Sequence, residues 1–170
     1  MTQSESPDTA QLQGEELAAH FRDIADTRMR GLPFLNPVLE VEAVGFAAQV
    51  AGEDATSGVL GILITPWFMN LMWLAPALSA PLAQGASREH LFGDQHLTFI
   101  GAVDEAFGTY ESCSLFSPMF EFADQAAARA TAEQVMVLLR GPAEEEHTPE
   151  RHPALSRRSL LFGRLSGERQ

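Results

Sequence analysis

A long uncharged stretch dominates the middle of the chain. No charged residue occurs between residues 55 and 87, and residues 60–83 are strongly apolar. Such a run is long enough to span a bilayer. Three prolines and one asparagine interrupt it, however, and no cluster of arginines flanks it. We therefore predict a buried strand followed by an apolar helix, with no stable insertion into a membrane.

Two β-hairpins are predicted from apolar runs bounded by turn residues. Residues 40–52 and 59–64 form the first pair of strands, and residues 97–103 and 109–116 form the second. Acidic residues and glycine lie between the strands of each pair, as is typical of turns. Each hairpin indicates antiparallel pairing.

Each hairpin ends in a similar motif. The first is Thr65-Pro66-Trp67-Phe68 and the second is Ser117-Pro118-Met119-Phe120. A hydroxyl residue followed by proline suits a helix start, because the hydroxyl accepts an unpaired amide and the proline has none to leave unpaired. We therefore predict a helix after each hairpin, although Asp124 is a second candidate cap. The second helix should end at Arg140, before Gly141 and Pro142.

The fold class is therefore predicted as α+β, with a mainly antiparallel sheet. An amphipathic helix over residues 13–30 precedes two β-hairpin–helix units. Residues 1–13 are predicted to be disordered and residues 14–141 to form one domain. Residues 142–170 are predicted to be a flexible acidic linker with a basic, apolar tail.

The net charge of the chain limits the classes of partner that it can bind. Eleven arginines and no lysine stand against 23 acidic residues, giving a net charge of −12. This excludes a bulk nucleic-acid binder, which needs clustered cations, and favours a basic protein segment as the ligand. The polar, acidic N-terminal segment lacks the pattern of a secretory signal, which predicts a cytoplasmic protein.

A cluster of methionines and aromatic residues is the best candidate for a binding surface. The helix predicted after the first hairpin, at residues 67–74, is apolar on all sides except at Asn70. Such a helix must be enclosed by the core or must present one side to a partner. Flexible thioethers suit a surface that accepts varied apolar side chains. The alternative is that these residues are simply core. The predicted client-binding residues are Trp67, Phe68, Met69, Asn70, Met72, Trp73, Phe116, Met119 and Phe120.

Few residues of the sequence suggest catalysis or metal binding by the chain itself. One cysteine, Cys113, excludes an internal disulfide and any multi-cysteine metal site. No basic residue lies near it in sequence, so a buried inert thiol is favoured over a reactive one. The five histidines match no common metal motif and are expected at the surface. No catalytic motif, cofactor fingerprint or resident metal site is predicted.

The tail carries an unexpected motif. Ser156-Arg157-Arg158 followed by Leu160 and Leu161 is similar to the twin-arginine export pattern. Export signals lie at the N-terminus and lead into a longer apolar stretch, so this copy cannot act as one. Two interpretations remain: a nonspecific basic tail, or a segment that binds the protein's own client surface.

Three uninterrupted blocks carry a family resemblance. They are NPVLEVEAVGF at residues 36–46, LITPWFMNL at residues 63–71 and CSLFSPMFEFADQ at residues 113–125. Together they resemble the HybE/HupJ family of NiFe-hydrogenase assembly chaperones, over roughly residues 15–140.

The resemblance implies a cytoplasmic, non-enzymatic helper in hydrogenase maturation. Its implied partners are a small- or large-subunit precursor and other maturation proteins. Members of the family are associated with holding the small subunit, which bears a twin-arginine signal, until cofactors are inserted. Others are linked to the large subunit, and for this chain that alternative includes a factor that carries or protects a metal fragment through Cys113.

Overall fold

The computed structural model describes residues 6–75 and 80–140 of the chain. These residues form a helix, six strands and a second helix, which confirms the predicted α+β class. The linker and tail predicted over residues 142–170 lie outside the described residues, as do residues 1–5. The elements are α1 (Pro7–Thr27), β1 (Glu42–Ala51), β2 (Thr56–Ile64), β3 (Met69–Leu74), β4 (Ser87–Phe92), β5 (Gln95–Asp104), β6 (Gly108–Phe116) and α2 (Gln125–Arg140).

The six strands form one antiparallel sheet in the order β1-β2-β3-β6-β5-β4. Both predicted hairpins are confirmed, since β1 pairs with β2 and β5 pairs with β6. The sequence analysis does not predict β4. The sheet curls until its two edges meet, and there the Gly52 N–H donates a 2.7 Å hydrogen bond to the Leu91 carbonyl.

The prediction of an apolar helix after the first hairpin is wrong, because Met69–Leu74 form β3. The turn between β2 and β3 is closed by Thr65, whose hydroxyl oxygen accepts hydrogen bonds from the N–H groups of Trp67 (3.2 Å) and Phe68 (2.9 Å). The hydroxyl therefore accepts from otherwise unpaired N–H groups, as expected, but it does so in a turn rather than at a helix start. β3 lies between β2 and β6, and core clusters cover both of its faces, so it needs no polar side.

The helix boundaries also differ from the prediction. α2 begins at Gln125 rather than at Pro118, and Asp124 is its cap, since Asp124 Oδ1 accepts a 2.8 Å hydrogen bond from the Ala127 N–H. Its end at Arg140 is as predicted. α1 begins at Pro7 rather than at residue 13, so the part of the predicted disordered segment from Pro7 onward is helical.

The helices pack on opposite faces of the sheet. α1 places Leu17 and Phe21 in one core cluster with Leu63 and Met72. α2 contributes to a larger cluster inside the curl of the sheet, which also contains Trp73. Neither described helix is long and apolar enough to cross a membrane.

Candidate functional site

Three loops meet at one end of the sheet, and Asn36 holds them together. Its side-chain Nδ2 donates hydrogen bonds of 2.9 Å to the carbonyls of Met119 and Phe122. Its Oδ1 accepts a bond from the Val38 N–H, and its own N–H donates to the Pro66 carbonyl. We call this region the loop end: the connector at residues 28–41, the turn at 65–68 and the loop at 117–124.

The loop end exposes several large apolar side chains. Val38 is 51% exposed and Phe120 is 56% exposed, although both belong to well-bonded loops. Scattered apolar residues are normal on a surface, but several on two loops that are bonded together indicate a contact surface. The exposed large apolar residues of the loop end are Leu32, Phe34, Val38 and Phe120.

Charged residues surround this apolar surface. Glu40 is exposed on the connector, and Glu121 and Asp124 are exposed on the loop that carries Phe120. Arg28 and Arg30 are exposed where the connector leaves α1. Glu121 is next in sequence to the exposed Phe120, and Glu40 follows the exposed Val38 by two residues, so an apolar partner flanked by cations meets complementary charge there.

The structure divides the predicted client-binding residues into two groups. Phe120 is exposed, and Trp67, Phe68, Asn70 and Phe116 are half-buried. The prediction is wrong for the others as contacts in this conformation, because core side chains enclose them. Side chains alternate along β3, so its methionines and tryptophan point to both faces and form no single stripe. The buried residues are Met69, Met72, Trp73 and Met119.

An aromatic cluster links the loop end to α1. The ring of Phe21 lies 5.6 Å from Phe68, and 6.3 Å from both Trp67 and Tyr110, between ring centroids. Burial, together with the charge of Asp104, raises the pKa of Tyr110. The half-buried Trp67 and Phe68 therefore belong both to the loop end and to the contact with α1.

A cleft of about 430 Å³ lies beside the middle of α1, lined in part by Gln13, His20 and Phe107. The His20 Nε2 is 2.8 Å from Asp104 Oδ2 but is not oriented for a hydrogen bond. The N–H groups of Phe107 and Ala106 donate to Asp104 and, with His20, hold the pKa of that carboxyl below its usual range. Asp104 thus shapes the β5–β6 turn.

One predicted surface histidine is in the core. His90 on β4 is 8% exposed, and its Nε2 lies 2.9 Å from Oε1 of the buried Glu111 on β6. The ring of His90 contacts Trp73 and Phe99. This buried polar pair joins the edge strand to the middle of the sheet.

Cys113 is buried in the core cluster on the α2 side of the sheet. Within residues 6–75 and 80–140, no group of three histidine, cysteine or carboxylate side chains is placed to hold a metal ion. The geometry of the described residues therefore provides a contact surface rather than a site for chemistry.

Sequence reasoning missed Asn36, Phe34 and Val38. Asn36 precedes a proline in a segment without regular structure, where an amide side chain often organises the backbone. The apolar residues around it are another signal, since loops are usually polar. Those two signals together indicate an ordered loop with a role in binding.

Comparison with known proteins identifies relatives along most of the chain. The family model described as NiFe-hydrogenase assembly, chaperone, HybE matches residues 12–163. Protein HoxT of Cupriavidus necator is 47% identical over 156 residues, covering 85% of this chain and 86% of HoxT. The hydrogenase expression/formation protein HupJ of Bradyrhizobium diazoefficiens is 42% identical over 160 residues, with 92% and 90% covered.

A solved structure shares the fold. The solution structure of HybE from Escherichia coli superposes with a TM-score of 0.59 at 25% identity, covering 91% of each chain. The sheet and helices described above are thus those of an experimentally determined relative. The chain belongs to the HybE family of NiFe-hydrogenase assembly chaperones.

Proposed function

We propose that this chaperone holds the small-subunit precursor of a NiFe hydrogenase, which bears a twin-arginine signal, through the loop end. It acts in the cytoplasm until cofactor insertion is complete, together with other maturation proteins. The observation that carries the proposal is the set of exposed apolar side chains on the connector and on the loop at residues 117–124, which Asn36 fastens together. A fixed apolar surface is what a chaperone needs to cover an unfinished subunit.

The surface suits a reversible complex. Phe34 and Phe120 are exposed aromatic side chains, a type that often anchors an interface. The nearby Glu40 and Glu121 attract a basic segment, which speeds association more than it raises affinity. An export precursor offers both a basic segment and an apolar segment, and so meets both parts of this surface.

The large-subunit alternative has less support. It assigns Cys113 the role of carrying or protecting a metal fragment, but that thiol is buried in the larger core cluster. A large-subunit precursor is therefore treated as an alternative outcome of the experiment that follows.

Changing Phe120 and Val38 together to alanine should weaken client binding at least tenfold, because both side chains are more than half exposed and lie on the joined loops. The fold should survive, since exposed side chains contribute little to the core. Co-purification from cells that make the hydrogenase, with mass-spectrometric identification of the bound subunit, measures the effect.

Val137→Ala is the matched control, because Val137 is 67% exposed on α2, away from the loop end. It should leave client binding unchanged. Equal losses in both variants, or none in the double variant, would contradict the proposal. Recovery of the large-subunit precursor instead of the small one would assign the surface to the other client.

The tail is proposed to compete with the client for this surface through Arg157, Arg158, Leu160 and Leu161. Arg157 follows Arg140 by 17 residues, which span roughly 55 Å when extended. α2, with 16 residues, separates its two ends by only about 24 Å. The chain is therefore long enough to return to the loop end, where tethering gives an effective concentration of about millimolar.

Deleting residues 155–170 should tighten binding of a small-subunit signal peptide by about threefold or more, because the competing segment is gone. Fluorescence anisotropy with the labelled peptide measures the dissociation constant. Replacing Arg164 and Arg169 by alanine is the control for a general charge effect and should change little. Unchanged or weaker binding after the deletion would rule out self-inhibition.

A further inference from the structure

α1 covers a face of the sheet that is more apolar than the helix itself. Of its five buried residues, only Leu17 and Phe21 have large side chains, and the others are alanine or glycine. The sheet side of this contact is formed almost entirely by large apolar residues. They are Val41, Phe46, Val59, Leu63, Met72 and Leu74.

Few polar contacts attach α1 to the sheet. Arg22 donates one 3.3 Å hydrogen bond to the Val41 carbonyl, and the His20 Nε2 lies 2.8 Å from Asp104 Oδ2 at the end of β5. The N-cap residue Ser6 makes no side-chain hydrogen bond. The last turn of α1 has no basic residue to balance the negative end of the helix dipole.

α2 is attached much more firmly. The guanidinium of Arg129 donates two hydrogen bonds, of 2.6 and 2.9 Å, to the carboxylate of Glu42 on β1. Arg140 donates to the Gly45 carbonyl of the same strand. The two helices therefore differ in polar attachment: α1 is held mainly by apolar packing, whereas α2 also makes charge-assisted hydrogen bonds to the sheet.

A glycine turn follows α1. Gly31 in the connector has φ +77 and no atom within 4 Å of the position its Cβ would occupy, and the Leu32 N–H donates a 3.3 Å hydrogen bond to the Met29 carbonyl across it. Only glycine adopts this conformation freely. Asn36 then fixes the rest of the connector to the loop end, so rotation near Gly31 would move α1 without disturbing the loops.

The covered face contains a polar atom that α1 does not satisfy. Asn70 lies two residues before Met72 on β3 and therefore points to the same face. Its Oδ1 is buried and has no hydrogen-bond partner. A buried acceptor without a donor is rare in native structures, and a donor on another occupant of this face would satisfy it.

We propose that α1 is a displaceable cover, and that an amphipathic helix of the client takes its place against this face. The face already accommodates a helix, so a helical occupant fits its shape. The face is also continuous with the loop end, because Trp67 and Phe68 belong to both. The identity of the client rests on the proposed function, whereas the displacement of α1 can be measured without a client.

Hydrogen exchange of the full chain tests the displacement. In the free protein, amides of α1 should exchange at least tenfold faster than those of α2 and β3, because they open locally. A synthetic peptide of the small subunit's N-terminal segment should speed exchange in α1 further and slow it in β2 and β3. Equal protection of α1 and the sheet in the free protein would overturn the proposal.

Phe21→Ala should loosen the cover. It should speed exchange in α1, increase binding of the apolar dye bis-ANS and tighten binding of the peptide severalfold. Leu12→Ala is the matched control, because Leu12 is 62% exposed on the same helix, and it should change none of these. Leu17→Ala is the second variant if Phe21→Ala does not fold. Weaker peptide binding in the loosened variants would overturn the proposal.

The outcomes separate this proposal from the proposed function. Protection of the loop end by the peptide, with α1 exchange unchanged, would overturn the displacement and leave the docking surface standing. Fast exchange and dye binding in Phe21→Ala without any binding of the peptide would support the displaceable cover and refute the proposed client.

Discussion

Replacing Glu111 with alanine is expected to lower the free energy of unfolding by about 1–3 kcal/mol, since the buried His90 ring loses its hydrogen-bond partner. Glu111 is 4% exposed, and its carboxylate lies 2.9 Å from His90 and 3.9 Å from Arg88. Domains are stable by about 5–15 kcal/mol, so the loss is a large share of the total. Urea unfolding followed by tryptophan fluorescence measures it, because Trp73 contacts the His90 ring.

The chain offers a matched control on the same hairpin. His96 and Glu89 are also 2.9 Å apart, but both side chains are 61% exposed. Glu89→Ala should cost below about 1 kcal/mol, as exposed pairs do. The double change Glu111→Leu with His90→Phe should recover most of the stability, because apolar replacements of a buried pair are tolerated. Similar losses in Glu111→Ala and Glu89→Ala would contradict this account.

Asn36→Ala is expected to cost about 2–4 kcal/mol, because two buried carbonyls and one N–H lose their partner. The connector and the loop at residues 117–124 should then loosen, since Asn36 makes the buried hydrogen bonds between them and only the exposed bonds between Gln125 and the Glu40 backbone are left beside the loop. We expect client binding to fall at least tenfold even at temperatures where the variant stays folded. Thermal unfolding and the peptide anisotropy assay measure the two effects.

Asn70 is the natural control for Asn36, because the sequence contains only these two asparagines. The Asn70 Oδ1 has no hydrogen-bond partner, so Asn70→Ala should cost less than about 1 kcal/mol. If the two alanine variants lost equal stability, the hydrogen bonds of Asn36 would not be the reason that the loop end holds together.

Local patterns were sufficient for the hairpins and for the second helix. β1, β5 and β6 alternate between buried and exposed positions along much of their length, which is the signal that predicts strands. The alanine-rich segment before Gly141 predicts α2, and its end at Arg140 follows from Gly141 and Pro142. In these segments, the local preference and the tertiary structure agree.

β3 could not be distinguished from a helix by its sequence. Core clusters cover both of its faces, so its residues show neither a period of two nor a period of 3.6. The Thr65-Pro66 motif then favoured a helix start, although Thr65 caps a turn. β4 was missed for a related reason, because the buried His90 makes an inward-facing position look polar.

The binding surface was only partly predictable. Phe120 was identified because it is bulky and follows a turn motif, and it is exposed. Met72 and Trp73 are also bulky and apolar, but they lie in the core because β3 is placed between β2 and β6 in the sheet. The sequence does not indicate which strands flank β3. Asn36 acts across more than 80 residues of sequence, and no local pattern reports a bond of that range.

The meeting of the two sheet edges limits the places where another chain can add a strand to the sheet, which is useful for an assembly chaperone. The Leu91 carbonyl on β4 is taken by Gly52, and the Gly45 carbonyl on β1 is taken by Arg140. Charged side chains at Arg88 and Glu89 flank the remaining edge of β4, which discourages another chain from adding a strand. These contacts reduce the number of backbone groups on which another chain could add a strand, and so lower the risk of intermolecular β-sheet growth.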